Sequence, residues 1–82
     1  REELGDKLRI CTLLNDIGQT YFSQGQFDSA LSFSFRALHL ADSLGERVQR
    51  KDILEALAAT YDSLGQHKRA LDYLRRYVAL KD

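Results

Sequence analysis

The sequence of 82 residues suffices for one domain, and its apolar share of 44% and charged share of 29% are those of a soluble globular protein. Its formal net charge is zero, with acidic and basic groups spread over both halves, so no overall field favours nucleic acid. The longest apolar runs have four residues, Ala56 to Ala59 and Tyr77 to Leu80, too short for a membrane-spanning helix.

The start of the sequence has neither an initiator methionine nor a targeting leader. We therefore expect the chain to be an excerpt of a longer protein. A single cysteine, Cys11, cannot form an internal disulfide. The compartment stays open between cytoplasm and periplasm.

The chain repeats itself with a period of 40 residues. The identical pairs include Leu14/Leu54, Thr20/Thr60, Tyr21/Tyr61, Ser23/Ser63, Gly25/Gly65, Gln26/Gln66, Ala30/Ala70, Leu31/Leu71 and Arg36/Arg76. A duplication of this kind indicates a repeat architecture, and it therefore takes precedence over single motifs.

In chain order, the apolar residues recur at helical spacing and predict four amphipathic helices, at about 6–24, 27–44, 46–64 and 67–81. The predicted buried stripes are Ile10, Leu13, Leu14, Ile17 and Tyr21; Phe27, Ala30, Leu31, Ser34, Leu38 and Ala41; Ile53, Leu54, Leu57, Tyr61 and Leu64; and Ala70, Leu71, Leu74 and Val78. Gly5, Gly25, Gly45 and Gly65 lie at 20-residue intervals and are predicted to break the helices. No strand is expected.

The pattern Leu14-x-x-Ile17-Gly18-x-x-Tyr21, followed by Gly25, Ala30 and Ala37, resembles the tetratricopeptide repeat, and the second copy reads Leu54-x-x-Leu57-Ala58-x-x-Tyr61, Gly65 and Ala70. The family's tryptophan is replaced by Leu14 and Leu54, and its proline after the second helix is missing. The period of 40 is similar to that of an extended-helix variety found in bacterial sensor kinases and transcription regulators.

The resemblance implies an all-α fold, an α-α superhelix of two stacked antiparallel helix pairs. Residues 1–82 are then a single domain, with repeat one at about 6–44 and repeat two at about 46–81, within a longer array. The alternative is a closed four-helix bundle. In a bundle the first and last helices would touch, whereas in a superhelical array they would not.

In this family the first helix of each repeat lines a groove that binds a peptide or a partner helix. The resemblance places these groove residues at Thr12, Asn15, Gln19, Phe22 and Ser23, and at Asp52, Glu55, Ala59, Asp62 and Ser63. Phe22 is the expected anchor, and Asp52, Glu55 and Asp62 favour a basic or apolar partner segment. A carboxylate clamp is rejected, because the groove has no basic residue. The alternative is a solvated helix face.

On the last helix, Tyr73, Tyr77 and Leu80 are predicted to form an uncovered face. This face would serve self-association or the packing of a further repeat. The alternative is that the tyrosines lie flat on their own helix in water.

The remaining chemical groups favour no other function. The basic string at residues 68–77 is explained by pairing with Asp72 along the helix, so nucleic acid is not expected. His39 and His67 lack metal-ligand spacing, and Cys11 aligns with Lys51 and is expected outside the core. No phosphate loop or nucleophile motif occurs, so we expect neither an enzyme nor a cofactor.

The sequence therefore favours a non-catalytic interaction module of a larger, bacterial regulatory or sensor protein that binds a protein or peptide. The alternative is a structural spacer, or a homodimerisation segment that forms a homo-oligomer.

Overall fold

The computed structural model describes the backbone of residues 2–80 and the side chains of residues 5–80. It contains the helices α1 (Glu2–Ser23), α2 (Phe27–Leu44), α3 (Arg47–Ser63) and α4 (His67–Leu80). No strand occurs in this part of the chain. The all-α prediction is confirmed.

Three glycines end helices as predicted, and one does not. Gly25, Gly45 and Gly65 have φ of 76°, 68° and 77°, in the left-handed region that residues with a Cβ rarely enter. After α2, the Gly45 and Glu46 amides donate to the carbonyl oxygens of Asp42 and Ala41, at 3.2 and 3.0 Å. Gly5, in contrast, lies inside α1, so its prediction as a break is wrong. No reversing turn follows it, and a helix continues through a glycine at a cost of about 1 kcal/mol.

The helices pack in chain order. Helix α1 packs on α2, α2 on α3 and α3 on α4, and α1 also contacts α3. Helices α1 and α4 do not touch over their described residues. This arrangement confirms the stacked helix pairs and excludes the closed bundle.

The core lies where α3 joins the first helix pair. Ala37 and Ala41 of α2, Ile53 and Leu57 of α3, and Cys11 of α1 form one cluster with 0% exposure. The prediction that Cys11 lies outside the core is wrong. Its repeat partner Lys51 is half-buried, and a lysine can place its stem against apolar surface while its ammonium stays in water. Equivalent positions in the two repeats therefore differ in depth.

Helix α4 is oriented differently from the prediction. Tyr73, expected on the uncovered face, contacts the rings of Phe35 and Tyr61, with centroid distances of 6.1 and 5.6 Å. The prediction of an uncovered Tyr73 is therefore wrong. Tyr77 and Leu80 are half-buried. Leu71, Leu74 and Val78, expected in the core, are 48%, 44% and 57% exposed. Helical periodicity places these three on the side of α4 opposite to the Tyr73 contacts.

Candidate functional site: the groove between α1 and α3

A groove runs between the parallel helices α1 and α3, with α2 as its floor. One part is a depression of about 310 Å³ lined by Gly18, Gln19, Phe22, Ser23, Ser34, Asp52, Glu55, Ala56, Ala59 and Thr60. A second, of about 350 Å³, is lined by Thr12, Asn15, Asp16, Gln19, Val48, Gln49, Asp52, Ile53 and Glu55. Both parts share Gln19, Asp52 and Glu55, so the surface is continuous.

The floor of the groove depends on a close approach of α1 to α2. A Cβ added at Gly18 would lie 3.1 Å from the Ser34 Oγ and 3.3 Å from the Ala30 carbonyl oxygen. Such contacts are tighter than ordinary van der Waals packing. The missing side chain at Gly18 therefore lets the two helices meet and leaves Ser34 at the bottom of the groove.

Most of the predicted groove residues come together in the structure. Those lining the groove are Thr12, Asn15, Gln19, Phe22, Ser23, Asp52, Glu55 and Ala59. Asp62 lines a neighbouring depression between α3 and α4, of about 420 Å³, which shares Glu55 and Ala59 with the groove. Its carboxylate Oδ1 lies 2.8 Å from the His67 Nδ1, in an exposed hydrogen bond. Asp62 therefore lies on the α4 side of Glu55, next to the part of the groove between α1 and α3.

Phe22 is the aromatic side chain among the described groove residues, and it is half-buried. Its ring makes an edge contact with Phe27, the first residue of α2, at a centroid distance of 5.4 Å. This contact holds the ring on the groove wall, so Phe22 presents apolar surface without having to be ordered by a partner.

The described groove residues carry acidic but no basic side chains. Asp52 and Glu55 are exposed on the α3 wall, and Asp16 lies on the α1 wall. The Asn15 Oδ1 is shielded from solvent and accepts no hydrogen bond from the described residues. The exposed carboxylates of Asp16, Asp52 and Glu55 are therefore the acceptors that the groove offers to a donor or a cation.

The predicted groove set missed eight lining residues: Asp16, Gly18, Ser34, Val48, Gln49, Ile53, Ala56 and Thr60. A signal for three of them was present. Val48 lies four residues before the predicted Asp52, and Ala56 and Thr60 lie four and eight residues after it, which is the spacing of one helix face. Ser34 had no such signal, since it was assigned to a buried stripe.

Other chemistry is not assembled in the described part of the chain. It contains no group of three or more His, Cys, Asp and Glu side chains that could hold a metal ion. None of its helices is long and apolar enough to cross a membrane. In the basic string, the Arg76 guanidinium lies 3.3 Å from the Asp72 carboxylate and 5.0 Å from the centroid of the Tyr73 ring. This pairing along α4 agrees with the sequence interpretation.

The tetratricopeptide-repeat family model matches residues 8–82, nearly the whole chain. The chain belongs to the tetratricopeptide-repeat family. The resemblance predicted from Gly18, Tyr21 and their repeat partners is thereby confirmed. Tetratricopeptide repeats are generally protein–protein interaction modules, without catalysis of their own. No curated protein and no solved structure shows a significant match to the chain.

Proposed function

We propose that this tetratricopeptide-repeat domain binds a protein or peptide segment in the groove between α1 and α3, and that the segment carries a basic side chain next to an apolar one. The observation that supports this most is the composition of the groove. A preformed aromatic ring, Phe22, shares one depression with the carboxylates of Asp52 and Glu55. The alternative, a solvated helix face without a partner, would not require the Phe22 ring and the two carboxylates to share a concave surface.

The groove suits an apolar anchor beside a cation. An apolar side chain that covers Phe22 is removed from water, which contributes in proportion to the area buried. A lysine or arginine at the neighbouring position would meet Asp52 and Glu55. Such exposed pairs contribute little affinity but steer the approach and select against acidic partners.

We place the domain in a bacterial regulatory or sensor protein, as part of the same proposal. The support is the 40-residue period, which is longer than the 34 residues usual for this repeat. The sequence of the gene that encodes the chain tests this directly. Neighbouring kinase, receiver or DNA-binding domains would support it, and a metabolic enzyme on the same chain would contradict it.

The groove can be tested by selecting peptides from a random display library on the immobilised 82-residue chain. Selected peptides should share an apolar residue beside lysine or arginine, and they should bind the chain in calorimetry. Phe22→Ala should weaken that binding by roughly tenfold, the size expected of a hot-spot residue. Selection of acidic peptides, or of none, would contradict the proposal.

Phe27→Ala is the matched control for Phe22→Ala. It removes the same ring contact from the α2 side, but Phe27 does not line the groove. The control should lose a similar amount of stability but less affinity than Phe22→Ala, because it frees the Phe22 ring and leaves its apolar surface in the groove. Equal losses of affinity in both variants would show that Phe22 acts through stability alone.

A further inference from the structure

The groove between α1 and α3 changes in character along its length. At one end lie the half-buried ring of Phe22 and the side chains of Ala56 and Ala59. The exposed carboxylates of Asp52 and Glu55 line both depressions and therefore form the middle of the groove. We call the first part the Phe22 end and the second part the acidic middle.

Val48 gives the groove a second apolar end. Its side chain is 62% exposed, more than that of any other large apolar residue in the described chain. It lines the depression that does not include Phe22. On α3 it lies one helical turn before Asp52, whereas Ala56 lies one turn after it. With this Val48 end, the groove presents apolar, acidic and apolar surface in succession.

The spacing of these three parts fixes the spacing of the side chains that cover them. Val48, Asp52 and Ala56 are four residues apart, which is about 6 Å along the helix. In an extended segment, alternate residues project to the same side at about 6.6 Å. In a helical segment, the same distance separates residues that are four positions apart. The covering side chains are therefore two positions apart in an extended segment and four in a helical one.

The width of the groove favours the extended segment. Cα atoms of α1 and α3 lie within 8 Å of each other where the two helices touch. A helix with its side chains is about 10–12 Å across, so it would rest on the two rims and leave the floor uncovered. An extended chain is narrower, since it lies only about 4.8 Å from a neighbouring strand.

The polar groups of the groove also suit an extended backbone. An extended segment has backbone N–H and C=O groups without internal partners, whereas a helix pairs its own. Gln19 is exposed and lines both depressions, and Thr12 is exposed at the Val48 end. The amide of Gln19 and the hydroxyl of Thr12 each donate and accept hydrogen bonds, so they suit either backbone group.

We propose that the groove binds an extended segment of about five residues from a partner protein, with an apolar residue at each end and lysine or arginine in the middle. The inference rests on the proposed function and adds to it the conformation of the segment and the contact with Val48. Charge complementarity supports the central cation, since the acidic middle has Asp52 and Glu55 on one wall and Asp16 on the other. The length fits too, because five extended residues span about 13 Å and Val48 to Ala56 about 12 Å.

Two synthetic peptides test the conformation of the bound segment. The extended peptide has leucine at both ends, lysine in the middle and threonine between them, because β-branched residues favour extended structure. The helical peptide has leucine, lysine and leucine four positions apart in an alanine-rich sequence. Titration of the isotope-labelled 82-residue chain, followed by NMR, measures both affinities. The extended peptide should bind roughly fivefold more tightly and shift the amide signals of Phe22 and Val48.

The outcomes separate this inference from the proposed function. Tighter binding of the helical peptide, still weakened by Phe22→Ala, would overturn the extended conformation and keep binding in the groove. Binding of neither peptide would overturn the five-residue pattern. Library-selected peptides whose affinity ignores Phe22→Ala would instead contradict the proposed function itself.

Val48→Ala tests the second apolar end. It should weaken binding of the extended peptide by roughly threefold, because apolar contact with one leucine is lost. Val78→Ala is the matched control, since Val78 is a valine of similar exposure, 57%, on α4 and does not line the groove. The control should leave the affinity unchanged. Equal affinities of the wild type and Val48→Ala would overturn the contact with Val48.

Replacing each leucine of the extended peptide by alanine, one at a time, determines how the peptide lies in the groove. One replacement should remove the effect of Val48→Ala and keep that of Phe22→Ala, and the other replacement should do the reverse. That pattern would place the two leucines at opposite ends of the groove. Loss of both effects through the same replacement would overturn the proposed arrangement.

Discussion

Gly18 of α1 and Ser34 of α2 face each other so closely that a Cβ at Gly18 would lie 3.1 Å from the Ser34 Oγ. Gly18 has no side chain and Ser34 has a short one, and together they set the spacing between α1 and α2. The same pair of residues forms part of the groove floor, so helix packing and the binding surface share one contact.

This contact predicts an energetic coupling between the two residues. Gly18→Ala gains helix propensity of about 1 kcal/mol but crowds the Ser34 hydroxyl. A Ser34→Ala background removes the contact with the Oγ and keeps the one with the Ala30 carbonyl oxygen at 3.3 Å, so Gly18→Ala should be more favourable there, by roughly 1 kcal/mol. Urea unfolding of the two single variants and the double variant measures this coupling. Equal effects of Gly18→Ala in both backgrounds would contradict the close contact.

Gly5, inside α1, and Gly25, in the turn after α1, predict changes of opposite sign. Gly25 has a φ of 76°, so Gly25→Ala should lower the free energy of unfolding by about 1 kcal/mol or more. Gly5 lies within α1 with open space around it, so Gly5→Ala should raise that free energy by up to about 1 kcal/mol. Thermal or urea unfolding of both variants provides the comparison. A loss of stability in Gly5→Ala would restore Gly5 as a helix break.

Cys11 predicts a pH dependence of stability. Burial raises the pKa of its thiol in the folded chain, and the Glu46 carboxylate raises it further. When the pH rises past the unfolded value of about 8.5, the unfolded chain releases this proton before the folded chain does, so stability falls. Below the unfolded pKa, the contribution of Cys11 to stability is fully retained.

The contribution of Cys11 is isolated by comparison with Cys11→Ala. The free energy of unfolding of the wild type should fall more steeply above about pH 8.5 than that of the variant, and the two curves should run parallel at neutral pH. The native thiol should also react slowly with an alkylating reagent, because its Sγ is buried and lies 3.4 Å from the Ala37 carbonyl oxygen. Rapid alkylation of the folded chain would contradict a core position.

The aromatic cluster predicts that Tyr73 contributes to stability. Tyr73→Ala removes ring contacts with Phe35 and Tyr61 and should cost about 2 kcal/mol, since the ring is half-buried. Tyr73→Phe keeps both contacts and should cost little. Leu74→Ala, at a side chain that is 44% exposed, should change monomer stability by less than about 0.5 kcal/mol. A larger loss of stability in Leu74→Ala than in Tyr73→Ala would favour the prediction from the sequence, in which Leu74 is buried and Tyr73 is uncovered.

Helix number, helix ends and chain order were predictable from local patterns. Gly25, Gly45 and Gly65 each follow an apolar stripe, and the left-handed cap is a local requirement that glycine satisfies. The groove residues of α1 and much of α3 were also predictable, because one helix face follows from spacing once the family resemblance is known.

The depth of individual residues was not predictable, because it depends on which neighbours cover a helix. Cys11 and Lys51 are equivalent in sequence, but only Cys11 is covered by a following helix pair. For the same reason Leu31 is packed and Leu71 is exposed. A repeat alignment aligns positions within a repeat, and it carries no information on what lies outside the last helix.

The most direct test of the proposed binding groove is a charge exchange at Glu55, with a library-selected basic peptide measured by calorimetry. Glu55→Lys replaces a weak exposed attraction by a repulsion, so it should weaken binding of that peptide by roughly threefold to tenfold, and replacing the peptide's lysine by glutamate should restore much of the affinity. Asp72→Asn, at an acidic position on α4 that lines neither the groove nor the neighbouring depression, should leave the affinity unchanged. Equal affinity of wild type and Glu55→Lys for the basic peptide would contradict binding in the groove.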